Sequence, residues 1–266
     1  MKKLSVLIFT LFIMLALCAC GADKAGEKVE YYKLNECIYY DTGDVNFHEN
    51  TYDEQWNLLS QKLFVNGEKT SDVEYIYSDD YTMVTINYWS KLYEPEQMMI
   101  LRDLDSKGRP VKAEIYENGE LSSTEKCIYD EQGNVVKSLV NYSSGVNLST
   151  EHSYDKNGNL LSTIHETSAY RSEIRNTYNE KGHLISTENY QNDRITSRVD
   201  YEQDGNLRHG VSSDGYGTML SEIYQELDEA GNIIALRVYD PYGNLQRETY
   251  TMYAGSDGSI SGQIPD

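Results

Sequence analysis

The chain of 266 residues is long enough for one large domain or two small ones, and it is strongly acidic. Asp and Glu number 43 against 23 Lys and Arg, which gives a formal net charge of -20. This excess argues against binding to nucleic acid, because contact with a phosphate backbone requires a basic surface. The 24 tyrosines argue against disorder of the whole chain, because disordered acidic segments are poor in aromatic residues.

The first twenty residues have the pattern of an export signal. Lys2 and Lys3 precede an almost unbroken apolar run over residues 4–17, which is short for a membrane-spanning helix. The run ends in the tetrad Leu-Cys-Ala-Cys at residues 17–20, which resembles the bacterial lipobox. An ordinary secretory signal and an uncleaved anchor are the alternatives. The resemblance implies that Cys20 is the modified residue and that cleavage occurs just before it.

A lipobox implies a specific location for the mature protein. Residues 1–19 would be removed as a signal peptide, and diacylglycerol would be attached to Cys20. Each CH₂ group of an acyl chain such as palmitate contributes about 0.8 kcal/mol of binding free energy when it is buried in the membrane. Several chains together therefore give a durable anchor. Residues 20–36 are then interpreted as a lipidated N-terminus and flexible tether. We therefore expect a protein held at the extracytoplasmic side of a bacterial cell membrane, facing either the outside or a periplasm.

A repeat of about 25 residues organises the rest of the chain. Tyr-Asp-Glu-Gln-Gly-Asn-Val from Tyr129 and Tyr-Asp-Lys-Asn-Gly-Asn-Leu from Tyr154 are two clear copies. In most copies a glycine stands four residues after the first residue, and an aliphatic residue follows two positions later. We call the first residue of each copy the anchor; the anchors are Tyr52, Tyr77, Leu104, Tyr129, Tyr154, Tyr178, Tyr201 and Leu227.

Each copy reads as two strands and two turns. The segments between turns are rich in Val, Ile, Thr, Tyr and Leu and show no helical period, while pairs such as Asn66-Gly67 mark a second turn. The turn aspartate is predicted to accept a hydrogen bond from the backbone two residues on, and the glycine to adopt a left-handed conformation. We predict an all-β repeat domain over residues 37–253, followed by a C-terminal tail over residues 254–266.

The expected architecture is a repetitive antiparallel β-hairpin meander. About eight copies of two strands give roughly sixteen strands, and strand twist accumulates in a sheet of that width. We therefore expect the meander to curl into an open twisted sheet or a partial shell. Such a sheet would have exposed edge strands at both ends, which could pair with other chains.

The motif Tyr-Asp-x-x-Gly-Asn-Leu resembles the YD repeats of bacterial Rhs and wall-associated proteins. It begins at Tyr129, Tyr154 and Tyr239. Degraded forms begin at Tyr52, Leu104, Tyr178, Tyr201 and Leu227. The resemblance implies a β-rich repeat fold and leaves the function open. Large Rhs proteins build a β-shell from many repeats and carry a C-terminal toxin. This chain has too few repeats to imply a closed shell, and we expect no toxin domain in the residues after the last repeat.

The positions that suggest metal binding or a disulfide each have a structural alternative. Acidic turn residues stacked in a row could bind Ca²⁺ weakly, but capping of their own turns explains the same positions. The histidines show no metal-ligand spacing, so we expect neither a dedicated metal site nor a cofactor. An exported location permits a disulfide between Cys37 and Cys127, although both can equally be strand residues that never meet. The turn aspartates are Asp53, Asp105, Asp130, Asp155 and Asp228.

No catalytic constellation is apparent, and we do not expect an enzyme. The chain contains no Gly-x-Ser-x-Gly nucleophile elbow. Exposed aromatic residues could stack on sugar rings or contact a protein; Trp56, Tyr81 and Trp89 are the candidates, and the first two replace turn glycines. The expected function is a lipid-anchored binding or scaffolding surface for a protein or glycan. The alternatives are a structural envelope component without a ligand, and an immunity-like protein of an Rhs toxin system.

Overall fold

The computed structural model describes residues 31–265, which form one antiparallel sheet of 19 strands. The strands alternate with short turns, and most are seven to twelve residues long. Their bounds are β1 Tyr31–Tyr40, β2 Val45–Tyr52, β3 Leu58–Val65, β4 Glu68–Tyr77, β5 Met83–Ser90, β6 Tyr93–Leu104, β7 Pro110–Glu117, β8 Glu120–Tyr129, β9 Val135–Tyr142, β10 Asn147–Tyr154, β11 Leu160–Glu166, β12 Arg171–Tyr178, β13 Leu184–Gln191, β14 Arg194–Asp204, β15 Leu207–Asp214, β16 Met219–Leu227, β17 Ile233–Tyr239, β18 Leu245–Gly255 and β19 Ile260–Ser261.

The sheet closes on itself. Strands follow one another in chain order, and β1 pairs with β2 on one side and with β18 on the other. In the closing pair Tyr31 lies opposite Gly255 and Tyr40 lies opposite Arg247. The result is an antiparallel barrel of 18 strands, with the two-residue β19 added alongside β18. An even number of strands in a meander makes the first and last antiparallel, and their pairing leaves neither as a free edge.

The closure corrects the predicted topology. The all-β hairpin meander is confirmed, whereas the open twisted sheet or partial shell and its exposed edge strands are wrong. The eight predicted copies correspond to β3 to β18. They leave out β1 and β2, which complete the ring, because these strands precede the turn of the first anchor. The closing pairs join residues more than 200 positions apart. Local turn chemistry carries no information about such a pairing.

Two predicted boundaries also move. β1 begins at Tyr31, so residues 31–36 of the predicted tether belong to a strand. β18 and β19 extend into the predicted tail at residues 254–266. The extensions of β1 and β18 follow from closure, since Tyr31 and Tyr32 pair with Gly255 and Ala254, whereas β19 pairs with β18 alone. The predicted signal peptide and Cys20 lie outside the described residues. None of the described residues forms a helix with the length and apolar character needed to cross a membrane.

Side chains alternate between the two faces of the closed sheet. Most of the fully buried apolar side chains face inward, and their largest cluster lies on β4 to β7. Around the rest of the ring the inward face carries polar residues such as Thr150 and Thr163, both buried. The outward face carries rows of charged and tyrosine side chains. The main cluster comprises Val73, Tyr75, Val84, Ile86, Met98, Ile100, Ala113 and Ile115.

The turns divide between two rims. Every turn that follows an even-numbered strand lies at the rim that also holds the anchors, which we call the anchor rim. Gly133 and Gly158 in these turns have φ values of 94° and 84°, which confirms the predicted left-handed conformation. The opposite rim holds the second turns, in which Asn66 and Asn118 also have positive φ. The aspartate-capped turn is not confined to the anchor rim, because Asp240 caps the turn after β17 at this opposite rim with the same set of hydrogen bonds.

Candidate binding grooves on the outward face

The two aromatic residues that replace turn glycines pack against neighbouring rings. Trp56 and Tyr81 have φ values of 63° and 57°, in the left-handed region that glycine prefers. The Trp56 ring stacks on Tyr32 with centroids 4.7 Å apart and an interplanar angle of 6°. The Tyr81 ring lies 5.8 Å from Tyr77. These contacts give both bulky residues a packing role that the sequence did not suggest.

The three candidate aromatics do not form one site. Trp56 and Tyr81 lie in different turns of the anchor rim, after β2 and β4 respectively. Trp89 lies near the other end of β5, six residues beyond the start of that strand, or about 20 Å from the rim. Only Trp89 is exposed, at 39% of its surface, whereas the other two are half-buried. The structure therefore separates a candidate surface residue from two turn residues.

Trp89 lies in an outward groove of about 800 Å³ on β3 to β6, which we call the Trp89 groove. The Lys69 ammonium lies 5.3 Å from the Trp89 ring centroid and forms an ion pair of 2.8 Å with Asp72. Beside the ring, the Gln97 amide donates to Asn87 Oδ1 at 3.0 Å. The groove is lined by Thr51, Leu59, Ser60, Lys62, Lys69, Asp72, Glu74, Asn87, Tyr88, Trp89, Pro95, Glu96, Gln97 and Asn118.

The turn aspartates cap their own turns. Asp155 Oδ1 accepts hydrogen bonds from the backbone of Asn157 and Asn159 at 2.8 and 2.9 Å, and Oδ2 accepts from the Asn159 amide. These hydrogen bonds, the one from the Asn159 side chain foremost, lower the pKa of the Asp155 carboxyl. Asp53 and Asp228 make the same set of bonds. The predicted aspartate-backbone bond is thus confirmed.

The aspartates share a rim without converging. Asp53, Asp105, Asp130, Asp155 and Asp228 all follow even-numbered strands. Within the described residues, no three His, Cys, Asp or Glu side chains are grouped closely enough to hold a metal ion. A carboxylate that already accepts several hydrogen bonds has little remaining capacity for Ca²⁺, which requires six to eight oxygen ligands.

The two cysteines lie on opposite faces of the sheet and form no disulfide. Cys37 faces outward on β1, opposite Tyr250 of β18. Cys127 faces inward on β8, where its Sγ lies 3.7 Å from Glu125 Oε1. Of the two alternatives, the structure has the one in which Cys37 and Cys127 are separate strand residues without a disulfide.

Glu125 is an inward carboxyl that the sequence did not single out. Only 2% of its surface is exposed. Burial raises the pKa of the Glu125 carboxyl to about 7, against a smaller lowering by the hydrogen bond from the Cys127 thiol. Side chains alternate between the two faces along β8, so Glu125 lies on the same face as Cys127. A charged residue is nevertheless expected on the outward face, and the sequence therefore did not indicate its burial.

A second outward groove, of about 850 Å³, lies on β14 to β17 and was also missed. We call it the Tyr224 groove. The Tyr224 ring is 43% exposed, stacks on His209 at 4.5 Å and meets Tyr239 edge-on at 5.6 Å. Its hydroxyl donates to Glu222 Oε2 at 2.8 Å. In the sequence, only the spacing of Glu222 and Tyr224 indicates this site. His209 and Tyr239 come to lie against the Tyr224 ring because their strands pair with β16. The other residues of its lining are Glu202, Gln203, Asp204, Leu207, Arg208, Gln225, Glu226, Ala235, Arg237, Asp240, Pro241 and Gly243.

Comparisons with known proteins identify no family for this chain. No family model matches the chain, and no curated protein matches it. Among solved structures, the chain is similar to one titled TcdB2-TccC3-TEV, with 12% identity, a TM-score of 0.28, and coverage of 83% of this chain and 17% of that one. It is similar to a porin-like protein from Bacteroides uniformis, with 9% identity, a TM-score of 0.34, and coverage of 84% and 97%.

A third solved structure is a protein of unknown function of the DUF3598 family from Nostoc punctiforme. It has 10% identity and a TM-score of 0.18, with coverage of 90% of this chain and 97% of that one. All three TM-scores are low, so these similarities carry no argument about what the chain binds or does.

Proposed function

We propose that this chain is an exported, lipid-anchored protein of the bacterial cell envelope, with a domain of YD-like repeats. Its closed sheet serves as a non-catalytic binding or scaffolding surface for a protein or glycan partner. The lipobox-like tetrad at residues 17–20 supports the anchor, and the tyrosine-aspartate turns support the repeat assignment. Diacylglycerol on Cys20 would hold the acidic body at the membrane.

The observation that carries the binding role is the exposed Trp89 ring within a concave surface. Tryptophan is enriched among residues that dominate binding interfaces, because a large flat ring buries much apolar area at little entropic cost. Asn87, Gln97 and Asn118 supply side-chain amide groups to the same groove. An aromatic ring beside amides suits the apolar face and the hydroxyls of a sugar, and equally a polar peptide.

The test measures partner retention by the full-length chain and by two variants. Purified envelope polysaccharides and detergent-solubilised envelope proteins of the host are passed over the immobilised chain, over Trp89→Ala and over Tyr216→Ala. Tyr216 is a matched control because it is an aromatic residue, 98% exposed, outside both grooves. We expect a partner that the wild type and Tyr216→Ala retain and that Trp89→Ala loses.

Two outcomes contradict the proposal. If no protein or glycan is retained at physiological salt, the binding role fails and a structural role without a specific ligand takes its place. If Trp89→Ala retains the partner as well as the wild type does, the Trp89 groove is not the binding surface. Thermal unfolding of each variant confirms that the substitution leaves the fold intact.

A further inference from the structure

In the part of the chain that the structure describes, the outward face carries the same pair of side chains four times. In each pair a glutamate is followed two residues later by a tyrosine, and the tyrosine hydroxyl donates to the glutamate carboxylate. The oxygen-oxygen distances lie between 2.7 and 3.0 Å. The pairs are Glu114–Tyr116, Glu188–Tyr190, Glu222–Tyr224 and Glu248–Tyr250.

Two of these pairs hold an arginine of the chain itself. At Glu188–Tyr190, Arg198 forms an ion pair of 3.0 Å with the carboxylate, and the guanidinium carbon of Arg175 lies 4.3 Å from the ring centroid. The pair therefore binds guanidinium groups both through the carboxylate and over the aromatic face, and both are favourable contacts for a cation.

At Glu248–Tyr250, the guanidinium of Arg237 contacts both members of the pair. It forms an ion pair with Glu248 and donates to the Tyr250 hydroxyl at 3.2 Å. The pair Glu114–Tyr116 holds a lysine instead, with Lys112 Nζ 2.8 Å from Glu114. Three of the four pairs thus show directly which chemistry they bind.

The fourth pair has no such cation. Within the described residues, no lysine or arginine forms an ion pair with Glu222 or lies over the Tyr224 ring. Arg237 lies opposite Tyr224 in the sheet register, but it contacts Glu248 and Tyr250 on the other side. The neighbour at Glu222 is His209, whose Nε2 lies 3.6 Å from the carboxylate.

The surroundings of the fourth pair favour a cation from outside the chain. Tyr224 is exposed, whereas the tyrosines of the other three pairs are half-buried. Four more carboxylates line the groove, those of Glu202, Asp204, Glu226 and Asp240. The other base of the lining, Arg208, belongs to the inward row, and its guanidinium lies 5.7 Å from the Tyr201 ring. The groove therefore presents an aromatic face and an excess of negative charge to solvent.

We propose that the Glu222–Tyr224 pair, at the floor of the Tyr224 groove, binds the guanidinium of an arginine side chain presented by a protein partner. Arginine fits better than lysine because its planar group can stack on the ring while it donates to the carboxylate. The pairs at Glu188 and Glu248 use arginine in these ways within the chain. This inference goes beyond the proposed function, since it concerns a different groove and does not depend on Trp89.

The test uses two peptides that differ only in charge. One is acetyl-Gly-Arg-Gly-amide, and the other carries citrulline, the uncharged isostere of arginine, in place of arginine. Saturation-transfer NMR with the full-length chain detects weak binding through the side-chain methylene signals of the peptide. We expect transfer to the arginine peptide, little transfer to the citrulline peptide, and a signal that falls as salt is added.

Variants locate the site. Glu222→Gln and Tyr224→Ala should each weaken binding of the arginine peptide by roughly tenfold, the loss of one charge-assisted or cation–π contact. Glu188→Gln is the matched control, because it alters an equivalent pair that already holds Arg198. It should leave peptide binding unchanged. Circular dichroism establishes that each variant retains the sheet.

Equal binding of the two peptides would overturn the proposal, as would unchanged affinity in both Glu222→Gln and Tyr224→Ala. Trp89→Ala is included as a further arm and should bind the arginine peptide as the wild type does. The two proposals can therefore be contradicted independently. Loss of a partner in Trp89→Ala tests the proposed function, whereas loss of arginine-peptide binding in Glu222→Gln tests this inference.

Discussion

The hydroxyl of Tyr129, at the end of β8, donates a hydrogen bond of 2.8 Å to the carbonyl oxygen of Pro110, at the start of β7. The two residues are 19 positions apart, and the bond ties two neighbouring strands together at the anchor rim. Four other anchors do the same over 18 or 19 positions. They are Tyr52 to Lys33, Tyr77 to Leu58, Tyr154 to Val135 and Tyr178 to Leu160, at 2.9 to 3.2 Å.

This relationship explains why the repeat uses tyrosine in a chain with only four phenylalanines. The ring fills the inward face near the rim, and the hydroxyl satisfies a backbone acceptor that phenylalanine would leave without this partner. These five tyrosine anchors are therefore structural residues of the barrel. Their recurrence reports on the fold and gives no information about a ligand.

Removal of the hydroxyl should lower stability. Tyr129→Phe keeps the ring and loses the bond to Pro110, so the free energy of unfolding in urea should fall by about 1 kcal/mol. Tyr242→Phe is the control, because Tyr242 is 89% exposed in a turn. Equal urea midpoints for Tyr129→Phe and the wild type would show that the bond contributes nothing measurable.

Loss of a turn cap should have a similar effect at the same rim. Asp228 accepts bonds from the backbone of Ala230 and Asn232 at 3.0 and 2.8 Å, so Asp228→Ala should destabilise the chain by about 1 kcal/mol. Glu229→Ala alters the next, exposed residue and should be neutral. The measurement is thermal unfolding with and without Ca²⁺. A Ca²⁺-dependent rise in Tm that Asp228→Ala abolishes would contradict pure capping.

Glu125 should make stability depend on pH. Its pKa is about 7 in the folded chain and about 4.5 when exposed, so the unfolded chain releases this proton first as pH rises. The contribution of Glu125 is complete below about pH 4.5 and is lost as pH rises to about 7, by up to about 3 kcal/mol. Glu125→Gln removes this loss, so its advantage over the wild type should grow from pH 4.5 to pH 8.

The matched control for the pH measurement is Glu120→Gln, an exposed residue at the start of the same strand. Its effect on the urea midpoint should be the same at both pH values. A constant difference between Glu125→Gln and the wild type across this range would mean that the pKa of Glu125 is the same in the folded and the unfolded chain.

The sequence also predicts covalent lipid at Cys20. Expressed in a bacterial host, the chain should be recovered in the membrane fraction, and mass spectrometry should find an N-terminus at Cys20 that carries diacylglycerol. Cys20→Ser should remain unprocessed, whereas Cys18→Ser should be processed normally. Cleavage elsewhere, or an unmodified Cys20, would favour the ordinary secretory signal or the uncleaved anchor.

The outward grooves could not be predicted from the sequence. Trp89 was identified from its residue type, but its neighbours Asn87 and Gln97 form a groove only because β5 and β6 pair in one register. Tyr224 was not identified at all. Its stacking partner His209 comes from β15, and Arg237 from β17 turns away from it. Such relationships depend on which strands are neighbours and on the face to which each side chain points.

The sequence by itself determined the strands, the turns and their alternation, because Asp, Asn and Gly act on the backbone within a few residues of themselves. Only the tertiary structure decided that the meander closes. That outcome depends on accumulated twist and on pairing between β1 and β18, whose residues are far apart in the chain. Closure in turn fixed which face is inward, buried Glu125 beside Cys127, and left Glu222 and Tyr224 on the outward face without a lysine or arginine partner among residues 31–265.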